Sequence, residues 1–337
     1  MRKLVSIRKI DDVQAISGAD DVVKVRIGGW WCVTSKNYNL KPKDLCYFFE
    51  IDCLIPVEDR FSFLAKNCAI LETNVGGSVY KGYRLRTKSF RGVTSQGLVL
   101  PLSFALFEIK LSEGDDLTSL FRVVKYERIL TEGMGKDIVG DFPGYMPKTE
   151  EERIQNLIEY LDKYRGLMFY GSEKIDGCSS TFSRYENEFD VYQKTVQLRR
   201  LSNNPYWAIA KKYKLSEKIS NNFAVQAEIV GPGIDNALEL SELDAFVFSV
   251  FDIQKAQYLS LEDMLKFSSE IGMKTVPIIY PEIILNHTCD QLLVMANRKS
   301  ALNPKKSAEG LVFRMKSTIE KVSFKVISNH YLEKNKN

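Results

Sequence analysis

Short apolar stretches separated by turn residues fill the first 125 residues of the chain. LVSIRKI, VVKVRI, WWCVT and LCYFFEID alternate or run apolar, and GG, NYN and KPKD separate them. Strands of this size and spacing, with almost no helical periodicity, are typical of a small closed or nearly closed β-barrel. We therefore expect residues 1–125 to form an all-β domain.

The composition changes after this region. Residues 131–148 contain four Gly and two Pro and few large aliphatic side chains, which predicts a linker over 126–148. The next stretch, TEEERIQNLIEYLDKY, predicts a helix with Thr149 as N-cap and Glu152 at its third position. A second domain would then occupy residues 149–337.

Strands and helices are mixed in this second domain. Candidate strands are GLMFYGSEK, CSSTFSRY, FAVQAEIVG, AFVFSVFDI, GLVFRMK and VSFKVIS, and candidate helices are NPYWAIAKKY and LSLEDMLKFSSEIG, the latter capped by Ser260. The elements do not alternate as regular βαβ units, and no G-x-G-x-x-G or P-loop follows a strand. The pattern favours an α+β domain built on antiparallel sheets.

Charge and cysteine content restrict the protein class. The net charge is only +4, so any basic surface must come from local arrangement. The six cysteines show no C-x-x-C spacing and there are only two histidines, so we expect no zinc site and reduced thiols. The N-terminus has no apolar signal region and no run long enough to span a membrane. These features predict a soluble, intracellular protein that does not bind membranes.

One lysine stands at an unusual place, in YGSEKIDGCSST at positions 170–181. The flanking residues predict a strand, a turn and a second strand, with Lys174 and Asp176 at the turn. Such a lysine either lies solvated over the sheet or points into a cleft and takes part in chemistry. The motif K-x-D-G alone does not decide between the two.

Similar polar insertions occur in three later strands. Glu228 precedes a Gly-Pro-Gly turn, Glu309 opens AEGLVFR, and Lys325 interrupts VSFKVIS. Each could merely face solvent, because alternation places every second side chain of a strand on a wet face. Together with Lys174 and Asp176 they could instead surround one cavity, a set that suits a phosphoanhydride with a divalent metal ion.

These residues resemble the motifs of the ATP-dependent RNA ligases of the covalent nucleotidyltransferase superfamily, in the subgroup with an OB-fold domain ahead of the catalytic domain. Lys174-Ile175-Asp176-Gly177 resembles the nucleophile motif, and AEIVGPG, FSVFDI, AEGLVFR and SFKVISN resemble the later motifs in the same order. GGWWCV, FFEID and KGYRLRTKSFRGVTSQGLVLPLS extend the resemblance through the N-terminal half.

The resemblance implies a reaction in three steps. Lys174 would attack the α-phosphorus of ATP to form lysyl-AMP, AMP would move to a 5′-phosphate RNA end, and a 3′-OH end would then seal the strands. Lys325 would bind the α-phosphate and, with a metal ion, lower the pKa of Lys174. The expected substrates are thus ATP, with Mg²⁺ or Mn²⁺, and RNA ends, chiefly those at nicks, and the protein is expected to act as a monomer.

Further residues receive roles by the same resemblance. Asp176, Glu228 and Glu309 would lie in the water shell of the metal ion. Glu228 could instead contact the ribose, and Phe248 would stack on adenine, although it could also be ordinary core. The nucleotide-binding set would be completed by Glu173 and Gly177.

The chain departs from the family pattern at two places. Relatives commonly carry Arg-Asn between the first and third motifs, where this chain has Lys194-Thr195 in VYQKTVQLRR. Three arginines could supply the missing guanidinium: Arg184, Arg199 and Arg200. Relatives also often carry lysine where Ser323 stands.

A basic stretch in the N-terminal half could bind RNA. In KGYRLRTKSFRG, a strand would place Arg84, Arg86 and Lys88 on one face and Tyr83 and Leu85 on the other. Three adjacent cations suit a polyanion, although an edge strand protected by charge would look the same.

The tandem tryptophans Trp30 and Trp31 are possible stacking platforms, one of them more simply explained as core.

Two other classes of function remain open. A DNA ligase or an mRNA capping guanylyltransferase would use the same lysine chemistry, with GTP in the capping case, but both families place the OB domain after the catalytic domain. A non-catalytic OB-type RNA-binding protein is the second class. The order of the domains and the complete set of charged positions favour the RNA ligase.

Overall fold

The computed structural model describes residues 2–75, 77–107, 110–127, 137–200, 203–317 and 322–334. The backbone contacts divide the chain into two compact units. Unit 1 comprises Met1–Leu130 with Leu332–Asn337, and unit 2 comprises Thr131–Tyr331.

Unit 1 is almost entirely β-structure. Its twelve strands among the described residues are β1 (Val5–Lys9), β2 (Asp12–Ile16), β3 (Ala19–Ile27), β4 (Trp30–Ser35), β5 (Leu45–Phe49), β6 (Cys53–Pro56), β7 (Ile70–Val75), β8 (Ser78–Leu85), β9 (Lys88–Phe90), β10 (Val93–Ser95), β11 (Leu98–Pro101) and β12 (Val124–Lys125). Short 3-10 turns cover Lys36–Tyr38, Asp59–Lys66 and Leu102–Phe104.

These strands form small antiparallel sheets in the orders β1-β5-β11, β2-β3-β4, β12-β6-β8-β7 and β10-β9. Strand β5 is apolar on both faces because it lies between two parts of the core. Tyr47 and Phe49 pack into one cluster, and Cys46 and Phe48 pack into the other. The continuous apolar run LCYFF therefore reflects burial on both sides.

Unit 2 contains the remaining strands. They are β13 (Ile138–Asp141), β14 (Met168–Lys174), β15 (Cys178–Tyr185), β16 (Glu188–Gln193), β17 (Val196–Leu198), β18 (Phe223–Val230), β19 (Asp244–Asp252), β20 (Gln257–Tyr258), β21 (Lys274–Thr275), β22 (Ile278–Ile284), β23 (Gly310–Met315) and β24 (Ser323–Ile327). All six strands predicted in this region are confirmed.

Two sheets organise unit 2. The large sheet has the order β13-β17-β16-β15-β18-β19-β20, with β21 added parallel to β19, and the small sheet has the order β22-β14-β23-β24. Every other pair is antiparallel, so the predicted α+β class with antiparallel sheets is confirmed. The turn after Lys174 carries the chain from the small sheet to the large one.

The helices of the described residues are short and carry recognisable caps. They are α1 (Ile158–Lys163), α2 (Pro205–Lys212), α3 (Leu215–Lys218), α4 (Leu261–Ile271), α5 (Cys289–Ala296) and α6 (Asn329–Lys334), preceded at α1 by a 3-10 turn over Ile154–Asn156. The side chains of Asn204, Ser260 and Thr288 accept hydrogen bonds from the first turns of α2, α4 and α5. The predicted helices at α2 and α4 are confirmed.

The helix start predicted at Thr149 is wrong. Helix α1 begins only at Ile158, and residues 149–153 are not helical. Their backbone instead runs beside β24: the amide of Lys325 donates to the carbonyl of Glu152 at 2.8 Å, and Arg153 forms a parallel bridge with Lys325. The edge of β24 offers backbone partners that the capping pattern does not reveal.

The segment predicted as a linker contains ordered structure where it is described. Strand β13 pairs with β17, and Phe142 and Met146 pack in a buried cluster with Tyr192. Residues 128–136 of the same segment lie outside the described residues.

No helix in the part of the chain that the structure describes is long and apolar enough to cross a membrane.

Candidate active site

Three strands of the small sheet present the polar residues of the site on one face. In the register of β14, β23 and β24, Lys174 lies opposite Gly310, Ser172 opposite Val312 and Lys325, and Tyr170 opposite Arg314 and Ser323. Directly opposed residues of antiparallel strands project to the same side. This face therefore carries three rows of side chains, with the lysine at one end and Arg314 and Ser323 at the other.

The turn after Lys174 approaches the large sheet closely. A Cβ atom on Gly177 would lie 2.4 Å from the carbonyl oxygen of Ile229 and 3.1 Å from Cγ of Glu228. Only glycine fits there without displacing backbone. The backbone of Gly177 also forms a hydrogen bond with Glu228. The K-x-D-G turn thus fixes the glutamate of β18 beside the lysine of β14.

Lys174 forms an ion pair with Glu309. Its Nζ atom donates to Oε2 of Glu309 at 2.7 Å, and both side chains are largely buried. Burial by itself lowers the pKa of Lys174, but the charges of Glu309, Glu228 and Asp176 outweigh burial and hold this pKa above its usual value. Lys174 is therefore a cation that pairs directly with Glu309.

The pKa values of the neighbouring glutamates are also shifted. Burial, reinforced by Glu309 and Asp176 and opposed by Lys174, raises the pKa of Glu228 to about 8. Burial likewise raises the pKa of Glu309. The carboxyl groups of Glu228 and Glu309 thus lie in a desolvated region with the charge of Asp176 acting on both, and a cation there would relieve their repulsion.

The pKa of Lys325 is shifted downwards, whereas those of the two glutamates are raised. Its pKa is lowered to about 8, first by burial and then by the charges of Lys174 and Arg153, while Glu309 and Glu150 act against this. Lys325 therefore changes charge close to neutral pH.

Asp176 accepts a hydrogen bond from the hydroxyl group of Tyr331. Across the described residues, no three His, Cys, Asp or Glu side chains stand close enough to enclose a metal ion. Any divalent cation at Asp176, Glu228 and Glu309 would need water molecules or substrate oxygens to complete its shell, as is common for Mg²⁺.

A pocket lies between the two sheets of unit 2, next to Lys174. We call it the lysine pocket; its lining includes Lys174, Glu228, Phe248, Val312 and Arg314. Phe248 is half-buried, and its ring centroid lies 5.8 Å from the guanidinium carbon of Arg314. The pocket thus combines an aromatic face with charged groups at both ends.

Glu173 lines the same pocket, but its carboxylate is buried and bound to a loop. It accepts hydrogen bonds from the hydroxyl of Ser300 and, at 2.7 Å, from the backbone amide of Ala301. Its side chain therefore supports the wall of the pocket.

Sequence reasoning missed Arg314 and Glu151. Arg314 is only 9% exposed; its Nη2 atom lies 3.0 Å from Oε1 of Glu151, and its Nη1 atom donates to Oγ of Ser172 at 3.4 Å. Ser323 donates to the other carboxylate oxygen of Glu151. Alternation along AEGLVFR from Gly310 is the signal that could have placed Arg314 on the active face.

Two of the three arginines proposed for the missing guanidinium, Arg184 and Arg200, are engaged in other contacts. Arg184 donates to the backbone carbonyls of Ile219 and Asn187, and Arg200 pairs with Glu188 and Asp190. Lys194 pairs with Glu150 at 3.1 Å. Among the described residues that line the lysine pocket, the arginine is Arg314.

The basic stretch of unit 1 keeps the predicted alternation. Tyr83, Leu85 and Thr87 are buried, while Arg84 and Arg86 are partly exposed and Lys88 is exposed. Strand β8 ends at Leu85, so the three cations do not lie on one continuous strand. Arg84 packs over the ring of Tyr126 and lies 4.0 Å from Asp52.

The two tryptophans differ in environment. Trp30 is buried against Phe48 in the core, as expected for one of the pair. Trp31 is partly exposed, and Nζ of Lys24 lies 3.7 Å from its ring centroid.

Comparison with known proteins identifies both halves of the chain. An OB-fold domain model matches residues 4–102, and an RNA ligase model matches residues 168–327. No curated protein sequence matches the chain significantly.

Solved structures of an RNA ligase from Naegleria gruberi are similar over the whole chain. The form with pyrophosphate is 35% identical with a TM-score of 0.89, covering 100% of this chain and 99% of that one. A variant with ATP and manganese has the same identity and score and covers 100% of both chains. A further variant, with AMP and manganese, is also 35% identical with a TM-score of 0.89 and covers 99% of each chain.

The predicted OB-fold domain and the predicted ligase domain are thus confirmed in the predicted order. Lys174, Glu228 and Phe248, three of the positions that suggested this family, line one pocket of unit 2, and Glu309 pairs with Lys174 beside it. The chain belongs to the RNA ligase family, with an OB-fold domain ahead of its ligase domain.

Proposed function

We propose that this RNA ligase is ATP-dependent and joins 3′-OH and 5′-phosphate RNA ends, chiefly at nicks, through lysyl-AMP on Lys174. The observation that carries the proposal is the position of Lys174, which lies beside a pocket with an aromatic wall and pairs with Glu309. The Naegleria structures with ATP, AMP and manganese support the choice of nucleotide and metal.

In the first step, Nζ of Lys174 attacks the α-phosphorus of ATP. An N–P bond forms and the P–O bond to pyrophosphate breaks. The amine must lose a proton before it attacks, and Oε2 of Glu309 is an acceptor at 2.7 Å. The N–P bond then breaks as a 5′-phosphate oxygen of RNA takes AMP. Finally, a 3′-OH group attacks that 5′-phosphate and releases AMP.

Other residues bind and orient the nucleotide. Lys325 stabilises charge on the α-phosphate, and Phe248 stacks on the base. Gly177 permits the close approach of the lysine turn to Glu228, which binds the ribose or the metal shell. Glu173 acts through the pocket wall, because its carboxylate is bound to Ser300 and Ala301.

The carboxylates fit a divalent cation of the Mg²⁺ or Mn²⁺ class. Oxygen ligands suit these ions, and the crowding that raises the pKa of Glu228 and Glu309 would be relieved by positive charge. We assign Asp176, Glu228 and Glu309 to the water shell of such an ion. When bound, it would offset the charge of the carboxylates and favour the neutral amine of Lys174.

We assign RNA binding to residues 1–125 and nucleotide chemistry to residues 149–337. Arg84, Arg86 and Lys88 would contact the RNA backbone, Arg86 and Lys88 more freely because Arg84 packs against Tyr126. We further propose a monomer in a reducing compartment. All assigned groups come from one chain, and all six cysteines are free.

The closest alternatives differ in their nucleotide or lack catalysis. A capping-type enzyme would use GTP, and a DNA ligase would seal DNA ends with the same lysine. A non-catalytic RNA-binding protein would form no covalent adduct. The OB-fold match ahead of the ligase match favours the RNA ligase over the first two.

The decisive experiment is covalent labelling. The protein is incubated with α-labelled ATP or GTP and Mg²⁺ or Mn²⁺, denatured, and separated by electrophoresis. We expect a label from ATP that is absent in Lys174→Ala, with circular dichroism showing that the variant is folded. A label retained in Lys174→Ala would refute the nucleophile, a label from GTP alone would indicate capping, and no label would favour the RNA-binding protein.

A further inference from the structure

Arg314 separates two cavities of unit 2. On one side is the lysine pocket with Phe248 and Val312. On the other is a larger cavity of about 850 Å³, here called the distal cavity, whose lining includes Tyr170, Phe251, Tyr258 and Met264. Arg314 lines both cavities, so its side chain is part of the wall between them.

The position of Arg314 is fixed by charged and polar partners. One end of the guanidinium pairs with Glu151 at 3.0 Å and another nitrogen contacts Ser172, while Glu151 also accepts from Ser323. A buried ion pair adds little net stability compared with apolar residues of the same volume, but it fixes donors and acceptors in place. Such an arrangement suits recognition of a polar ligand.

The distance along the strand indicates which part of a nucleotide Arg314 would meet. Gly310, opposite Lys174, and Arg314 are four residues apart on β23, or about 13 Å along the strand. A nucleotide with its α-phosphate at Lys174 and its base on Phe248 would direct the far edge of the base towards Arg314.

We propose that the Arg314–Glu151 pair selects adenine over guanine by reading the edge of the base, and that Arg314 closes the lysine pocket against the distal cavity. The proposal rests on the proposed function, because it requires a nucleotide in the lysine pocket. Arginine only donates hydrogen bonds and ionised glutamate only accepts them. On its Watson–Crick edge adenine presents the C6 amino donor beside the acceptor N1, whereas guanine presents the O6 acceptor beside the N1–H donor. Adenine therefore matches the acceptor of Glu151 and the donor of Arg314, and guanine opposes both.

The first test compares ATP and GTP in two readouts, AMP or GMP transfer to the protein and equilibrium binding by calorimetry. The test protein is the double variant Glu151→Gln/Arg314→Met, which removes both charges together and leaves no unpaired buried ion. Arg165→Met, which removes an exposed arginine paired with Asp162, is the matched control.

We expect the ratio of ATP to GTP, in binding and in kcat/KM, to fall at least about tenfold in the double variant and to stay unchanged in the control. Arg314→Lys should also lose selectivity, because lysine keeps the charge without the planar donor pair. An unchanged ratio in folded variants would overturn the proposal.

A second test uses the distal cavity directly. ATP carrying a benzyl group on its C6 amino nitrogen should be excluded by the wild-type protein and accepted by Arg314→Ala, because truncation joins the two cavities. If Arg314→Ala still binds ATP but gains no use of the substituted nucleotide, the wall assignment is wrong.

The wild-type protein and the variants test different claims. A wild-type protein that neither binds nor transfers ATP or GTP contradicts the proposed function, and this inference with it. A wild-type protein that transfers AMP, with variants that keep its nucleotide selectivity, contradicts only the role of Arg314 and Glu151.

Discussion

Nζ of Lys174 lies 2.7 Å from Oε2 of Glu309, a residue 135 positions further along the chain. Glu309 raises the pKa of Lys174, so the ion pair keeps the amine of Lys174 protonated. Glu309 therefore positions the amine of Lys174, and their ion pair must break before the amine can attack.

Glu309→Gln separates these two effects. The substitution removes a charge that raises the pKa of Lys174, so the pH at which labelling by ATP is half-maximal should move to lower pH. The maximal rate should fall about 10- to 100-fold because a carboxylate of the metal shell is lost. Labelling rates at saturating ATP between pH 6 and pH 9 measure both effects, with Glu309→Asp as the charge-preserving control. A shift to higher pH would contradict the assignment.

Glu228→Gln tests the energetic effect of burying a carboxylate. The folded-state pKa of about 8 lies above the ordinary value of 4.5, so the folded protein binds more protons than the unfolded chain between these values. Glu228 therefore destabilises the wild-type protein increasingly as pH rises from 4.5 to 8.

We expect the melting temperature of Glu228→Gln, relative to wild type, to rise between pH 5 and pH 8. Thermal unfolding at several pH values, without nucleotide or metal, measures the difference. A difference that is constant with pH would show that Glu228 does not titrate in this range.

Lys325→Arg tests the alkaline side of nucleotide binding. The pKa of Lys325 is lowered to about 8, so the cation is present below this pH and is lost above it. Binding of ATP by the wild-type protein should weaken as pH rises above 8, whereas arginine stays charged and should remove this dependence. Calorimetry with ATP at pH 7, 8 and 9 makes the comparison, and Lys325→Met should bind weakly at every pH. Equal alkaline weakening in Lys325→Arg would assign the effect to another group.

Gly177→Ala should disable the site through shape alone. The added Cβ would overlap the carbonyl of Ile229, so the turn must move away from Glu228. We expect a loss of stability of about 1–3 kcal/mol and a large loss of labelling. Gly144→Ala is the control, since no atom lies within 4 Å of the Cβ position there. Normal labelling by Gly177→Ala would show that the close approach is not required.

Arg86→Ala/Lys88→Ala should weaken RNA sealing without affecting transfer of AMP to Lys174. If each cation contacts a phosphate, the slope of log K against log salt for RNA binding should decrease by about 1 per residue removed. Lys9→Ala, which removes an exposed lysine paired with Glu113, is the control. Equal RNA affinity and salt slope in the double variant would refute RNA binding at this surface.

The sequence predicted the strands of the site because their apolar runs are long and are interrupted by single charged residues. It did not predict the extended segment 149–153, since the acidic stretch also fits a helix start. Its actual conformation depends on the edge of β24, which is 170 residues away in the chain but adjacent in space. Glu151 was therefore missed, and Arg314 was missed because nothing local distinguishes it from an exposed arginine of a strand.

The structure shows what Ser323 contacts at the position where relatives often carry lysine. Ser323 lies opposite Arg314 on the active face and donates to Glu151. Sequence comparison with a motif shows that a lysine is absent, but only the packing shows that a neutral hydroxyl supports the Glu151–Arg314 pair at that place.

The order of the small sheet also has a consequence for biosynthesis. Strand β14 ends at Lys174, yet its partners begin only at Ile278 and Gly310. At about 5–20 residues per second, a nascent chain carries this apolar strand without its neighbours for about 5–30 s. During that interval its open edge is a site at which aggregation can begin. The set of residues assigned to the nucleotide is complete only after β24, which carries Lys325, has been synthesised.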